Sequence, residues 1–181
     1  MRRMFRRQIR KTLAQEVPPI LQEANFAFDK GEYGRAAELF EKIAETASAR
    51  GGPRAPLYYL QAGRARVFAG QTALGMPSLK QGLELLSQQR LFLRLHRARR
   101  RLINELRERG LAEEAVEIEA WMTIPEATAS ETESPKAQVK RPVLPTHCPS
   151  CGAAVQPDEV EWLDEVTAEC DYCGSPVRAE S

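Results

Sequence analysis

Four cysteines constrain this chain more than any other feature. They form two pairs, CPSC at Cys148 and Cys151 and CDYC at Cys170 and Cys173. A glycine follows each pair directly, Gly152 and Gly174. The pairs are separated by about 18 residues, and two Cys-x-x-Cys knuckles at this spacing fit a zinc site. Each knuckle folds two thiolates toward one point, and the glycine after it permits the tight turn. Two knuckles complete a closed tetrahedral set, with sulfur at ~2.3 Å from the metal. Soft thiolates favour zinc or iron over hard cations. The expectation is one structural Zn2+ per chain on Cys148, Cys151, Cys170 and Cys173. Four thiolates leave no open coordination position for catalysis.

The residues between the knuckles support a small β module. In EVEWLDEVTAEC, Val160 alternates with Trp162, and Val166 with Ala168, around Asp164 and Glu165. That alternation predicts a short antiparallel hairpin. A module of ~35 residues has too little core to fold alone, so metal binding supplies its folding free energy. With CPSCG and CDYCGSPV as the matching strings, residues 146–181 resemble the bacterial zinc ribbon family. Two disulfides are one rival reading, disfavoured by the intracellular context expected below. A rubredoxin-type iron site is the other, although its connecting segment is usually longer. His147, beside Cys148, is an alternative ligand.

From about residue 18 to residue 122 the apolar pattern is helical throughout, with short breaks carrying Gly or Pro. The expected helices are 18–30, 33–49, 55–69, 72–88, 90–109 and 111–122. Gly31, Gly70 and Gly110 each end one helix and precede another. Their even intervals of about 40 residues signal stacked helical hairpins. ANFAFDKGEYGRAAELFEKIAE resembles a tetratricopeptide repeat: Ala24, Gly31, Tyr33, Ala36 and Phe40 match its small, turn and aromatic positions. YYLQAGRARVFAGQTALGMPSLKQGLELL keeps the frame through Tyr59, Gly63, Gly70, Gly75 and Leu79. Its small residues would let two helices approach closely. The third unit matches only through Gly110 and Ala115, with Ile103 where a small residue is expected. The period also exceeds the ~34 residues of that repeat. The fold class expected is therefore an all-α, TPR-like helical-hairpin repeat domain (17–122) plus a small β zinc ribbon (146–181).

Two further segments complete the organisation. Residues 1–16 predict a basic amphipathic helix, with Met1, Phe5, Ile9 and Leu13 on one stripe and Arg2, Arg3, Arg6, Arg7 and Arg10 around it. Residues 123–145 are rich in Pro, Ser and Thr and read as a disordered linker.

Charge is unevenly spread. Residues 1–110 carry +12 and residues 111–181 carry −11, which leaves the chain at +1. The fifth expected helix presents Arg94, Arg97, Arg100, Arg101 and Arg107 around a stripe of Leu91, Leu95, Ala98, Leu102 and Leu106. These arginines, with those of the N-terminal stripe, are the candidate contacts for an anionic partner. The charge split suggests either separate partners for the two halves or an attraction between the basic half and the acidic ribbon.

No nucleophile elbow, phosphate loop, zincin helix or dinucleotide fingerprint is present. The chain has two histidines, so acid–base catalysis has few candidates, and the chain is expected not to be an enzyme. The basic start MRRMFRRQIRK leads into TLAQEVPPIL rather than an apolar h-region, so a cytoplasmic location is expected. Helical hairpins of this kind imply a groove for a peptide or partner helix, with the ribbon as a second docking surface. The leading expectation is a protein–protein interaction adaptor. Nucleic-acid binding through the basic half is the first alternative. Residues 146–181 hold Arg178 as their one cation against eight acidic residues, so a phosphate contact would have to come from the helices. Peripheral membrane binding through residues 1–13 is the second alternative.

Overall fold

The computed structural model describes residues 17–121, 142–157 and 160–179. The expected N-terminal helix and most of the expected linker lie outside the described residues. Six helices follow one another: α1 Pro19–Asp29, α2 Tyr33–Ala49, α3 Ala55–Phe68, α4 Thr72–Gln88, α5 Phe92–Glu108 and α6 Ala112–Trp121. A three-stranded antiparallel sheet comes after them, β1 Glu161–Trp162, β2 Thr167–Glu169 and β3 Pro176–Arg178, in the order β1-β2-β3. The helical expectation holds to within two residues at every end. Among the described residues, no helix is long and apolar enough to cross a membrane.

The helices are joined by five copies of one turn. Gly31, Gly51, Gly70, Arg90 and Gly110 all have positive φ, from 58° to 78°. Each sits just past a helix end. At the first, the Gly31 N–H donates to the Phe28 carbonyl and the Glu32 N–H to the Ala27 carbonyl. The same two bonds recur at the other four, as at Arg90 to Ser87 and Leu91 to Leu86. This double bond caps carbonyls that a helix end leaves unpaired. Gly51 and Arg90 thus halve the spacing set by Gly31, Gly70 and Gly110, and the repeating step is one helix and one turn. Arg90 stands where a glycine would be expected, so the break predicted between 88 and 90 is met without the residue that favours positive φ.

Helix α3 occupies the middle. Ala62 and Ala65 face a first core built with α1 and α2, which includes Leu21, Ala24, Ala36 and Phe40. Leu60 and Val67 face a second core with α4, α5 and α6, which includes Leu79, Leu83, Leu102, Leu106 and Ile118. A helix covered on both sides needs no polar face, and α3 buries eight of its 14 residues. Helices α3 and α4 cross almost backbone to backbone. A Cβ on Gly63 would lie 2.8 Å from the Gly75 carbonyl oxygen, and one on Gly75 would lie 2.7 Å from the Gly63 carbonyl oxygen. A Cβ on Gly82 would meet the Pro56 carbonyl oxygen at 2.8 Å. The small residues of the second unit therefore do the mechanical task expected of them. Ile103, large where a small residue is expected, is buried in the second core.

The sheet pairs Trp162 with Ala168, and Ala168 with Val177. The hairpin of β1 and β2 matches the alternation in the sequence, whereas β3 adds a strand that the alternation does not predict. Val166 differs from its expected place in a strand. Its N–H donates to Asp164 Oδ1 at 3.0 Å, which draws it into the turn, and it stays 42% exposed. Trp162 packs half-buried against the first core. Trp121 is 37% exposed at the end of α6.

The cysteine module is not a separate body in this structure. The first core runs without a break from α1, α2 and α3 into Cys148, Cys151, Ala153, Val155, Ala168, Cys170 and Val177. Leu144, inside the expected linker, is buried in that same core. In the described part of the linker, residues 142–145, the chain is therefore anchored at Leu144 while Val143 stays 71% exposed. Leu144 has a core to enter, which local composition does not reveal.

Candidate metal centre and the helical face beneath it

The two knuckles are near copies. In the first, the Gly152 N–H donates to the Cys148 carbonyl and the Cys148 N–H to the Ala153 carbonyl, each at 2.8 Å. In the second, the Gly174 N–H donates to the Cys170 carbonyl at 2.8 Å and the Cys170 N–H to the Ser175 carbonyl at 2.9 Å. Gly152 and Gly174 have φ of 74° and 75°, the left-handed conformation that glycine adopts without strain. The knuckles face each other and bring all four thiol sulfurs within 4.8 Å of one another.

This geometry fits a tetrahedral metal. Sulfur ligands at ~2.3 Å define a tetrahedron whose edge is about 3.8 Å. Cys148 and Cys173 Sγ lie 3.7 Å apart, and Cys151 and Cys170 Sγ lie 3.8 Å apart. Both distances are far longer than the ~2.05 Å of a disulfide, and both join one knuckle to the other. Four thiols this close share protons. Hydrogen bonds from Cys151 and Cys170 lower the Cys148 thiol. Cys173 is lowered by Cys148, Cys151 and Cys170. Cys151 is raised by Cys148 and then Cys170, and Cys170 is raised by Cys148. A divalent cation at the centre removes the like-charge penalty and lets all four ionise. His147 lies outside the cluster: its Nε2 is 3.5 Å from Asp29 Oδ2 of α1.

The helices hold both knuckles by their backbones. Asn25 Nδ2 donates to the Cys151 carbonyl at 2.8 Å, and Gln22 Nε2 donates to the Ser150 carbonyl at 2.7 Å. At the second knuckle, Arg54 Nε donates to the Asp171 carbonyl at 3.1 Å and Arg54 Nη2 to Glu169 Oε1 at 2.9 Å. Tyr58 donates its hydroxyl to the Tyr172 carbonyl at 2.8 Å. Burial, working against the nearby Arg54 guanidinium, pushes the Tyr58 phenol up to about 12, so it remains a donor. Gln61 Nε2 donates to the Tyr172 hydroxyl. Asn25 and Gln61 are the buried polar side chains among the described residues, and both point at the module. Buried polar groups require partners. A polar residue inside the apolar stripe of a repeat helix is thus the signal for docking that the sequence carries, and motif spacing alone does not pick it out.

The candidate arginines scatter rather than converge. Arg94 pairs with Asp171 of the second knuckle at 3.2 Å. Arg107 pairs with Glu119 of α6 at 2.9 Å. Arg100 is exposed. Arg97 and Arg101 line a small open cleft between α3, α5 and the module, together with Arg64. Arg64 makes a two-pronged ion pair with Glu105, both bonds at 2.8 Å. Burial would raise the Glu105 carboxyl, but the Arg64 hydrogen bonds and charge, with Arg101 and Arg109, bring it below its usual range. Arg2, Arg3, Arg6, Arg7 and Arg10 lie outside the described residues. The attraction expected from the charge split does exist locally, through Arg54 with Glu169 and Arg94 with Asp171. No protein-family model, no curated protein and no solved structure matches this chain, so the site rests on its own geometry.

Proposed function

We propose that this chain is a non-catalytic interaction adaptor. Its TPR-like helical hairpins carry a zinc-ribbon-like module, and Cys148, Cys151, Cys170 and Cys173 hold one structural Zn2+. The observation that carries this reading is the closed set of four sulfurs set into a core shared with α1, α2 and α3. A closed tetrahedron offers no position for substrate, whereas a metal that completes a shared core makes one rigid surface out of two elements. Elemental analysis of the purified chain tests the metal, with zinc near one per chain expected. Folded, metal-free protein would contradict it. Site-specific photo-crosslinking with mass spectrometry tests the adaptor role, and a chain that crosslinks to no protein in its native cell would overturn it.

Nucleic-acid binding ranks second. Arg54, Arg94 and Arg107 already have carboxylate partners within the chain, which leaves fewer cations for phosphate. An electrophoretic shift with the full chain at low salt is the test of that alternative. Membrane association rests on residues 1–13, and sedimentation with anionic vesicles tests it.

A further inference from the structure

The cleft between α3, α5 and the cysteine module is suited to a ligand of definite chemistry. Its floor is apolar, with Leu57, Leu60 and Leu102 from the helices and Val155 and Val160 from the module. The rest of its lining is mostly cationic, with Arg64, Arg94, Arg97 and Arg101 beside one carboxylate, Asp171. Two of these guanidiniums are committed within the chain, Arg64 to Glu105 and Arg94 to Asp171. Arg97 is different. It is half-buried in the cleft and has no hydrogen bond or ion pair among the described residues. A guanidinium held at an apolar surface without an anion is an unmet demand for charge, since its strongest partner is a carboxylate or phosphate in a paired geometry.

We infer that this cleft binds an acidic peptide segment of a partner protein, one that sets a large apolar side chain on the leucine and valine floor and a carboxylate on Arg97. The apolar floor argues for a peptide over a nucleic-acid backbone, which has phosphate for the arginines but nothing for the leucines. The inference rests on the adaptor reading and deepens it. The binding surface is the seam between helices and module, so it exists only when the module is docked.

A randomised peptide library selected on the immobilised, zinc-loaded full chain tests this. Enrichment of sequences with Asp or Glu flanking one large apolar residue is expected. Selected peptides, measured by fluorescence anisotropy, should lose about tenfold or more in affinity with Arg97→Ala, the loss of one charge-assisted contact. Arg100→Ala, on an exposed position outside the cleft, should leave affinity unchanged. Circular dichroism and zinc content of both variants report whether they fold. Enriched peptides that lack acidic residues, or that ignore Arg97→Ala, would overturn the cleft and leave the adaptor reading standing. No enrichment at all would overturn the cleft proposal, and the crosslinking experiment decides the adaptor reading separately. Displacement of the peptide by a single-stranded oligonucleotide at equal affinity would overturn the choice of a peptide.

Discussion

Gly110 ends α5 and Gly174 ends the second cysteine knuckle, and both have φ of 75°. The same conformation serves two regions that reach stability by different routes. The second helical core is built from large side chains on four helices, among them Leu79, Leu83, Leu86, Leu95, Leu102 and Leu106. Burial of a Leu contributes roughly 1.5–3 kcal/mol, so that core can hold its helices together. The cysteine module buries smaller groups, Ala153, Val155, Ala168 and Val177, around four thiols. It has too little apolar surface to order its loops, and it gains part of the rest from the face of α1 and α3; on the proposed reading a metal on the four thiols would supply the remainder. Stability in the helical region is thus spread over many contacts. In the module it is concentrated at one point.

The contrast can be broken most forcefully by removing the metal. Chelation, or Cys151→Ser, should cost the module most of the ~10 kcal/mol that a structural zinc supplies. Hydrogen exchange should then rise across residues 146–179 and stay low in α4, α5 and α6. Loss of protection in those three helices would show that the two regions are one cooperative unit. The next largest effect belongs to Gly63→Ala. The added Cβ has no space against the Gly75 carbonyl, and overpacking of this kind costs about 3 kcal/mol. Denaturant unfolding measures it, and zinc content should be unchanged.

A smaller effect sharpens the helical side. The Glu105 carboxyl is held below its usual value by Arg64, so its contribution is present above the unfolded value near 4.5 and fades as pH falls through the folded one. Glu105→Gln should therefore cost about 2 kcal/mol at neutral pH, with the gap to wild type closing in acid. A gap independent of pH would mean that the pair contributes shape and not charge. Tyr58→Phe removes the hydroxyl from the Tyr172 carbonyl and should cost about 1 kcal/mol, read as faster exchange around residues 170–174 with α6 unaffected. The smallest change has the opposite sign. Arg90 is a non-glycine residue at positive φ, so Arg90→Gly should gain about 0.5 kcal/mol in thermal unfolding.

Much of the helical region is legible from local rules. Glycines at helix ends and the alternation of Leu and Ala with polar residues place six helices to within two residues. The joints at Gly51 and Arg90 are harder. Gly51 lies in the run GGPR, which reads as a generic break, and Arg90 has no turn chemistry at all. The positive φ at Arg90 is imposed by the helices on either side. The cysteine ligand set is also open to inspection, because Cys-x-x-Cys-Gly carries its own turn geometry. The arginines of α5 fall on the expected helix, but their partners do not follow from the sequence. Glu119, Asp171 and the unpaired Arg97 depend on which faces meet.

Everything the order of residues dictates here is local: the four cysteines of one site, the glycine after each knuckle, and the run of helices and turns. These follow from interactions within a few residues, where spacing dictates geometry. The seat of the cysteine module emerges only when the chain is folded. Asn25, Arg54, Tyr58 and Gln61 reach it across more than a hundred residues of chain. A lone polar side chain on a helix names no distant partner, because that bond exists only after two cores have merged into one.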